Sequence, residues 1–203
     1  MCHSYHVRQI FLNLLQNREP QNPVFAIGFS LGGSILANHL GRHALTPNLK
    51  AACLCAAPFN LAPGAVALQQ GFTQVYELRF LLSLKRKAKA KAKKHREGQQ
   101  WIAATLQTKT LEAFDHHWTA PSFGFASSAD YYEKASSAPH LHNIPIPTLV
   151  VHSEDDPIVV SGCFPKPALE QNDNIQLDLH AHDANAQGWF WRTYVHVVDK
   201  LQS

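Results

Sequence analysis

Methionine occurs once in the 203 residues, cysteine four times, and charged residues make up only 16%. Four cysteines are too few to staple a chain of this length, so a disulfide scaffold is excluded and reduced, buried thiols are expected. The first ten residues (MCHSYHVRQI) show no basic segment followed by an apolar run, so no secretory leader is expected. The charge-free window from Pro20 to Gly41 holds Asn22, Pro23, Gly28, Ser30, Asn38 and His39, which is poor membrane material. These absences set the expectation of a cytoplasmic protein. The apolar share of 45% excludes a disordered chain, and the length suits one domain with a substantial core.

Acidic residues are missing from Lys85 to Arg96 (KRKAKAKAKKHR), which carries eight of the 18 lysines and arginines. The remaining ten basic residues face 15 acidic ones, so the chain outside this run is net negative although the whole is +3. One local segment therefore makes the protein basic. Nucleic-acid binding over the whole surface is excluded, and no aromatic residue interleaves the run as base stacking would require. A solvated helix and contact with an anionic membrane surface through Lys85 to Arg96 are the two remaining readings.

Val7, Ile10, Phe11, Leu14 and Leu15 form one stripe of an amphipathic helix. Val24 to Phe29 (VFAIGF) reads as a fully buried strand, and Leu31, Ile35, Leu36 and Leu40 return to helical spacing before Gly41. Lys50 to Ala57 reads as a second buried strand. Helix, strand, helix, strand favours a parallel sheet with crossover helices. The middle, Leu61 to Asn143, reads as a helical insertion, helical from Phe72 through the basic run, at Trp101 to Leu106 and at Leu111 to His116, with Pro121 to Ser128 as loop. Thr148 to His152 predicts a third strand. Ile175, Leu177 and Leu179 alternate with polar residues as a half-exposed fourth, and Phe190 to Leu201 predicts a last amphipathic helix.

The chemistry sits in Gly28-Phe29-Ser30-Leu31-Gly32, a G-x-S-x-G pentapeptide placed where a strand pattern gives way to a helix pattern. In such an elbow the serine takes a strained backbone conformation, and Gly28 and Gly32, two places either side, are expected to let strand and helix approach. The helix start places the Leu31 N–H near a developing oxyanion. A serine nucleophile needs a base and an orienting acid, in the chain order serine, acid, histidine. His152-Ser153-Glu154-Asp155-Asp156-Pro157-Ile158-Val159 supplies acids just past a strand. Asp156 is the preferred acid because Asp-Pro-Ile-Val sets it at a turn, and Asp155 is the reserve.

FAIGFSLGGSILANHLG (Phe25 to Gly41), AAPFNL (Ala56 to Leu61), LEAFDHHWTAPSFGF (Leu111 to Phe125) and ADYYEKASSAPHLHNIPIPTLVVHSEDDPIV (Ala129 to Val159) carry a specific resemblance. With these segments the chain resembles the YheT-like branch of the α/β-hydrolases, also called the AB hydrolase 4 family, from about Val24 to His182. The resemblance implies an α/β-hydrolase fold and an esterase of short acyl esters or acylglycerols. It implies Ser30 as nucleophile, Asp156 as triad acid and a cap over the site from Leu61 to Asn143. The core would then comprise residues 1–60 and 144–203, with helices on both faces of the sheet.

Two departures accompany the resemblance. The family begins with several further strands and a His-Gly loop that supplies a second oxyanion donor, so the chain reads as a fold truncated on its N-terminal side, with Val24 to Phe29 as an exposed apolar edge. The family ends its last strand with His-Gly-Gly-His, where this chain has His182-Asp183-Ala184-Asn185. Asn185 stands in the base position, so His182, or else His180, is the candidate base. No cofactor is implied. The pairs His180/His182, His116/His117 and His140/His142 lack the spacing of a metal centre, so no metal is expected. The expected function is ester hydrolysis through an acyl-enzyme on Ser30; the alternative is a catalytically impaired remnant that binds an acyl ligand or a partner.

Overall fold

The computed structural model describes residues 22–43 and 48–181. The expected helices at Val7 to Leu15 and Phe190 to Leu201, together with His182 and Asn185, lie outside the described residues. In chain order the elements are β1 (Val24–Phe29), α1 (Leu31–Arg42), β2 (Leu49–Cys55), α2 (Leu61–Leu68), α3 (Gln74–Lys94), α4 (Gln99–Gln107), α5 (Leu111–Phe114), α6 (Ala120–Ser122), α7 (Ser128–Ala135), β3 (Thr148–Ser153), α8 (Lys166–Glu170) and β4 (Ile175–His180). A π-helical stretch, Asp115–Thr119, joins α5 to α6, and a 3₁₀ stretch, Ala138–Asn143, leads toward β3.

The four strands pair in chain order and all run parallel. Parallel neighbours need crossovers, and α1, the helical segment from α2 to Asn143, and α8 provide them. Ala26, Leu54 and Val150 point to one face and pack with Leu36 and Leu40 of α1, Phe59, Leu141 and Leu169. The reverse face carries a small cluster of Cys53, Cys55 and Val151. Period-two alternation explains the split.

The expectation of a fully buried first strand is corrected. β1 has a paired neighbour on one side only among the described residues, and Phe25, Ile27 and Phe29 are exposed. The apolar edge anticipated from the sequence is present.

Between β2 and β3 the chain is helical and forms two clusters of its own. Leu61, Ala65, Phe125, Tyr131 and Tyr132 make one; Leu81, Ala88, Ala92, Phe114 and Trp118 make the other. Polar groups fasten the turns. Asp115 is buried and accepts hydrogen bonds from Thr119 Oγ1 at 2.6 Å and Tyr132 OH at 2.8 Å. Burial pushes its carboxyl up from the usual range, and those two bonds offset part of the rise. Glu77 Oε1 accepts from Leu111 N–H at 2.8 Å, and Lys85 Nζ donates to the Thr108 carbonyl, so one lysine of the basic run holds a loop in place.

Candidate active site

Ser30 lies between the end of β1 at Phe29 and the first residue of α1, with φ 49° and ψ −129°. That backbone region is costly for any residue bearing a Cβ, by about 1–3 kcal/mol. The surroundings enforce it. Ser30 N–H donates to Cys55 C=O at 2.8 Å across to β2, while the Ser30 carbonyl already accepts Gly33 N–H at 2.9 Å as the helix begins. The chain must therefore turn from strand to helix within one residue.

Glycines make the turn fit, though not quite the pair expected. A Cβ on Gly28 would lie 2.7 Å from Gly33 Cα and 2.8 Å from the Gly32 carbonyl oxygen. A Cβ on Gly33 would lie 2.8 Å from Ala57 Cβ, whereas one on Gly32 would meet nothing within 4 Å. The close approach thus falls on Gly28 and Gly33; Gly32 contributes its backbone alone. The Leu31 N–H occupies the first helical position, where no intrahelical acceptor exists, so it points along the positive end of the helix dipole. Because the strain resides at residue 30, Ser30→Gly should stabilise the protein by about 1 kcal/mol, net of glycine's entropy cost. Thermal denaturation checks it, and a melting temperature below that of the parent would contradict it.

Asp156 follows β3 in a tight turn. Its Oδ1 accepts the N–H groups of Ile158 at 2.8 Å and Val159 at 2.9 Å, and Oδ2 accepts no hydrogen bond among the described residues. The carboxylate is thereby oriented by its own loop, with one oxygen left for another donor. Asp155 instead accepts from Ser153 Oγ at the end of β3. The strands carrying Ser30 and Asp156 are separated by β2, a lateral distance of roughly 10 Å at ordinary strand spacing. His180 is exposed and lies 3.4 Å from Asp178.

His152, assigned no role from the sequence, supports the acid loop. Its ring is 3% exposed and stacks on Phe164 at 4.6 Å with an interplanar angle of 11°. Burial holds its imidazole below the ordinary 6.5, against the opposing pull of Asp156 and Glu154. The folded state therefore keeps His152 neutral while the unfolded chain protonates near 6.5, so stability present above that value is lost as the pH falls through it. Thermal melts at pH 7.5 and 5.5 should show this loss. The loss should be smaller in His152→Gln; an equal loss in both proteins would refute the assignment.

A shallow recess of about 40 Å³ adjoins the elbow. Leu31, Ile35, Leu61 and Phe125 form apolar walls, with Asn38 and Arg42 at its polar side. Asn38 Nδ2 donates to Ala135 C=O, and Arg42 donates to Lys134 C=O, tying α1 to α7. Cys53, Cys55 and Cys163 are buried free thiols. Among the described residues no group of three metal-binding side chains gathers, and no helix is long and apolar enough to cross a membrane.

The profile of the family described as serine aminopeptidase S33 (Hydrolase_4) matches residues 7–163. The chain belongs to this family. The likeness to YheT is also direct: YheT of Escherichia coli (strain K12) is 35% identical over 173 residues, covering 84% of this chain and 51% of YheT. Monoacylglycerol lipase of Saccharomyces cerevisiae is 29% identical, covering 88% of this chain and 41% of the lipase. Human phospholipase ABHD3 is 30% identical, covering 80% of this chain and 40% of that protein. The chain thus spans about half or less of the length of these relatives. Among solved structures, the meta-cleavage product hydrolase CumD superposes with a TM-score of 0.52 at 19% identity, covering 97% of this chain and 70% of that chain. The enol-lactonase from Burkholderia xenovorans LB400 superposes with a TM-score of 0.51 at 18% identity, covering 98% of this chain and 73% of that chain. The fold of this Hydrolase_4 member is that of an α/β-hydrolase.

Proposed function

We propose that the chain carries the nucleophile and acid of a carboxylesterase-type serine hydrolase acting on short acyl esters or acylglycerols. The observation that carries the reading is the backbone of Ser30, held at φ 49° between a strand end and a helix start. Ser30 Oγ attacks the ester carbonyl and passes its proton to an imidazole, for which His182 is the candidate. The Leu31 N–H donates to the oxyanion, and Asp156 Oδ2 accepts the imidazole's other N–H. Collapse expels the alcohol with the proton from the imidazole, leaving an acyl-serine. Water, deprotonated by the same imidazole, attacks that ester and regenerates Ser30.

The roughly 10 Å between the two strands is a gap that side chains from either side can span with one imidazole between them. Residues 61–143 act as the cap, since Leu61 and Phe125 wall the recess beside Leu31. A recess of 40 Å³ holds about three water-sized groups, which suits a short acyl chain. The names of the lipase and phospholipase relatives support an ester as the substrate class. Hydrolysis of p-nitrophenyl acetate and butyrate by the purified chain, lost in His182→Ala and kept in His180→Ala, is the expected result. Asn185, standing where the family motif has histidine, favours the alternative of a non-catalytic acyl-binding remnant. Absence of turnover in the parent chain would select that alternative.

A further inference from the structure

Six large apolar side chains stand in solvent on one element and the turn before it. Phe72 is 76% exposed, Leu78 58% and Leu82 57%, joined by Val75, Tyr76 and Phe80. Phe72 packs edge-on against Tyr76 at 6.1 Å, so these are neighbours rather than scattered residues. A water-exposed apolar patch of this kind marks an interaction surface. α3 is buried along Glu77, Leu81, Ala88 and Ala92, which share its inward side. Its outward side is divided along its length. Helical spacing places Tyr76 and Phe80 in one stripe with Lys87 and Lys94, and Val75 and Leu82 in another with Arg86 and Lys93. The first half is thus mainly apolar, with the exposed Arg79 between the two stripes, and the second half is cationic, over 21 residues or about 32 Å.

We propose that this face of α3 docks the protein on an anionic lipid bilayer, with the apolar side chains between Phe72 and Leu82 in the acyl boundary and Arg79, reaching outward, and the lysines beyond it at the headgroups. Charge selects the occupant. From Lys85 to Arg96 there is no acidic residue, and the one acid of α3, Glu77, is buried and bonded to Leu111 N–H. A second copy of the chain docked through the same face would press one copy's lysines against the other's lysines or its apolar half, leaving the charges unpaired either way. A nucleic acid would satisfy the lysines and leave the apolar half in water. An anionic bilayer offers apolar depth and negative headgroups together, which matches both halves. Ester turnover plays no part in this inference, so a catalytically silent chain would dock equally well.

The test is co-sedimentation of the full chain with phosphatidylcholine vesicles, with and without 30% phosphatidylserine, at low and high salt. Lys85 and Lys91 are left intact, the first because it holds Thr108 and the second because it lies over the Phe123 ring. Partitioning should require phosphatidylserine and weaken with salt. Neutralising three exposed lysines (K87Q, K89Q, K93Q) should weaken it by on the order of 100-fold, at about one tenfold step per 1.4 kcal/mol and about 1 kcal/mol per cation. The double variant L78Q, L82Q should also weaken it, with the parent's circular dichroism retained in both. Equal binding to both vesicle types, or to neither, would overturn the proposal. So would retention of heparin or single-stranded RNA that L78Q, L82Q leaves intact while vesicles are ignored. A concentration-dependent dimer abolished by L78Q, L82Q would overturn it too, assigning the face to a second copy.

Discussion

Ser30→Ala should lower hydrolysis of p-nitrophenyl esters by on the order of 10⁴- to 10⁶-fold while leaving the fold and melting temperature close to the parent. The size follows from the proposed role: without Oγ no acyl-enzyme would form, and what would survive is the contribution of binding and the Leu31 N–H alone. The fold should survive because Ser30 Oγ serves as no helix cap; α1 begins without a side-chain cap bond. Alanine keeps the same strained backbone, so unlike Ser30→Gly it gains nothing in stability. Initial rates and a thermal melt on the same preparation separate chemistry from folding. A rate within tenfold of the parent would remove Ser30 from the mechanism.

The largest loss of stability is expected at Gly41. A Cβ there would sit 2.2 Å from the His140 carbonyl oxygen and 3.0 Å from its carbonyl carbon, both backbone atoms that cannot swing aside. Gly41 lies in the last turn of α1, where it meets the 3₁₀ stretch Ala138–Asn143 that brings Leu141 into the main core. Gly41→Val must part these two elements, and should cost about 3 kcal/mol or more, the upper end of overpacking penalties. For a domain of this size that is a fall of roughly 6–12 °C in melting temperature. Gly32→Ala is the matched control. It lies in the same helix with open space around it, and should be neutral or stabilising by up to about 1 kcal/mol. Equal melting temperatures for the two variants would show that the contact at Gly41 is not limiting.

The first three strands and the elbow were legible in the sequence because each of those strands is a short apolar run closed by a strong local signal, whereas β4 was legible from the alternation of Ile175, Leu177 and Leu179 with polar residues. Pro23 and Ser30 bound β1, Pro58 follows β2, and Asp155-Asp156-Pro157 follows β3. α2 was not legible, because Leu61–Leu68 contains Pro63 and Gly64, which read as breakers. The structure explains both. Pro63 falls in the first turn, where no backbone N–H is needed, and a Cβ on Gly64 would press to 3.3 Å from Cys163 Sγ. α7 was hidden inside a stretch rich in serine and alanine, although Ser127 marks its start by accepting Asp130 N–H at 3.1 Å. Choosing Gly33 over Gly32 as the partner of Gly28 needed three dimensions, since the pentapeptide spacing treats the flanking positions alike. The exposed apolar half of α3 was equally out of reach. Helical spacing shows that Leu78 and Leu82 share a side, but only packing reveals that the buried side is that of Leu81 and Ala88.

Mass spectrometry of the intact chain after exposure to a fluorophosphonate, followed by peptide mapping, tests the account most directly. A single phosphonyl adduct is predicted, located on the peptide containing Ser30 and absent from Ser30→Ala. An unmodified chain under conditions that label a control esterase, or an adduct on any other residue, would contradict the assignment of this bend as a reactive nucleophile.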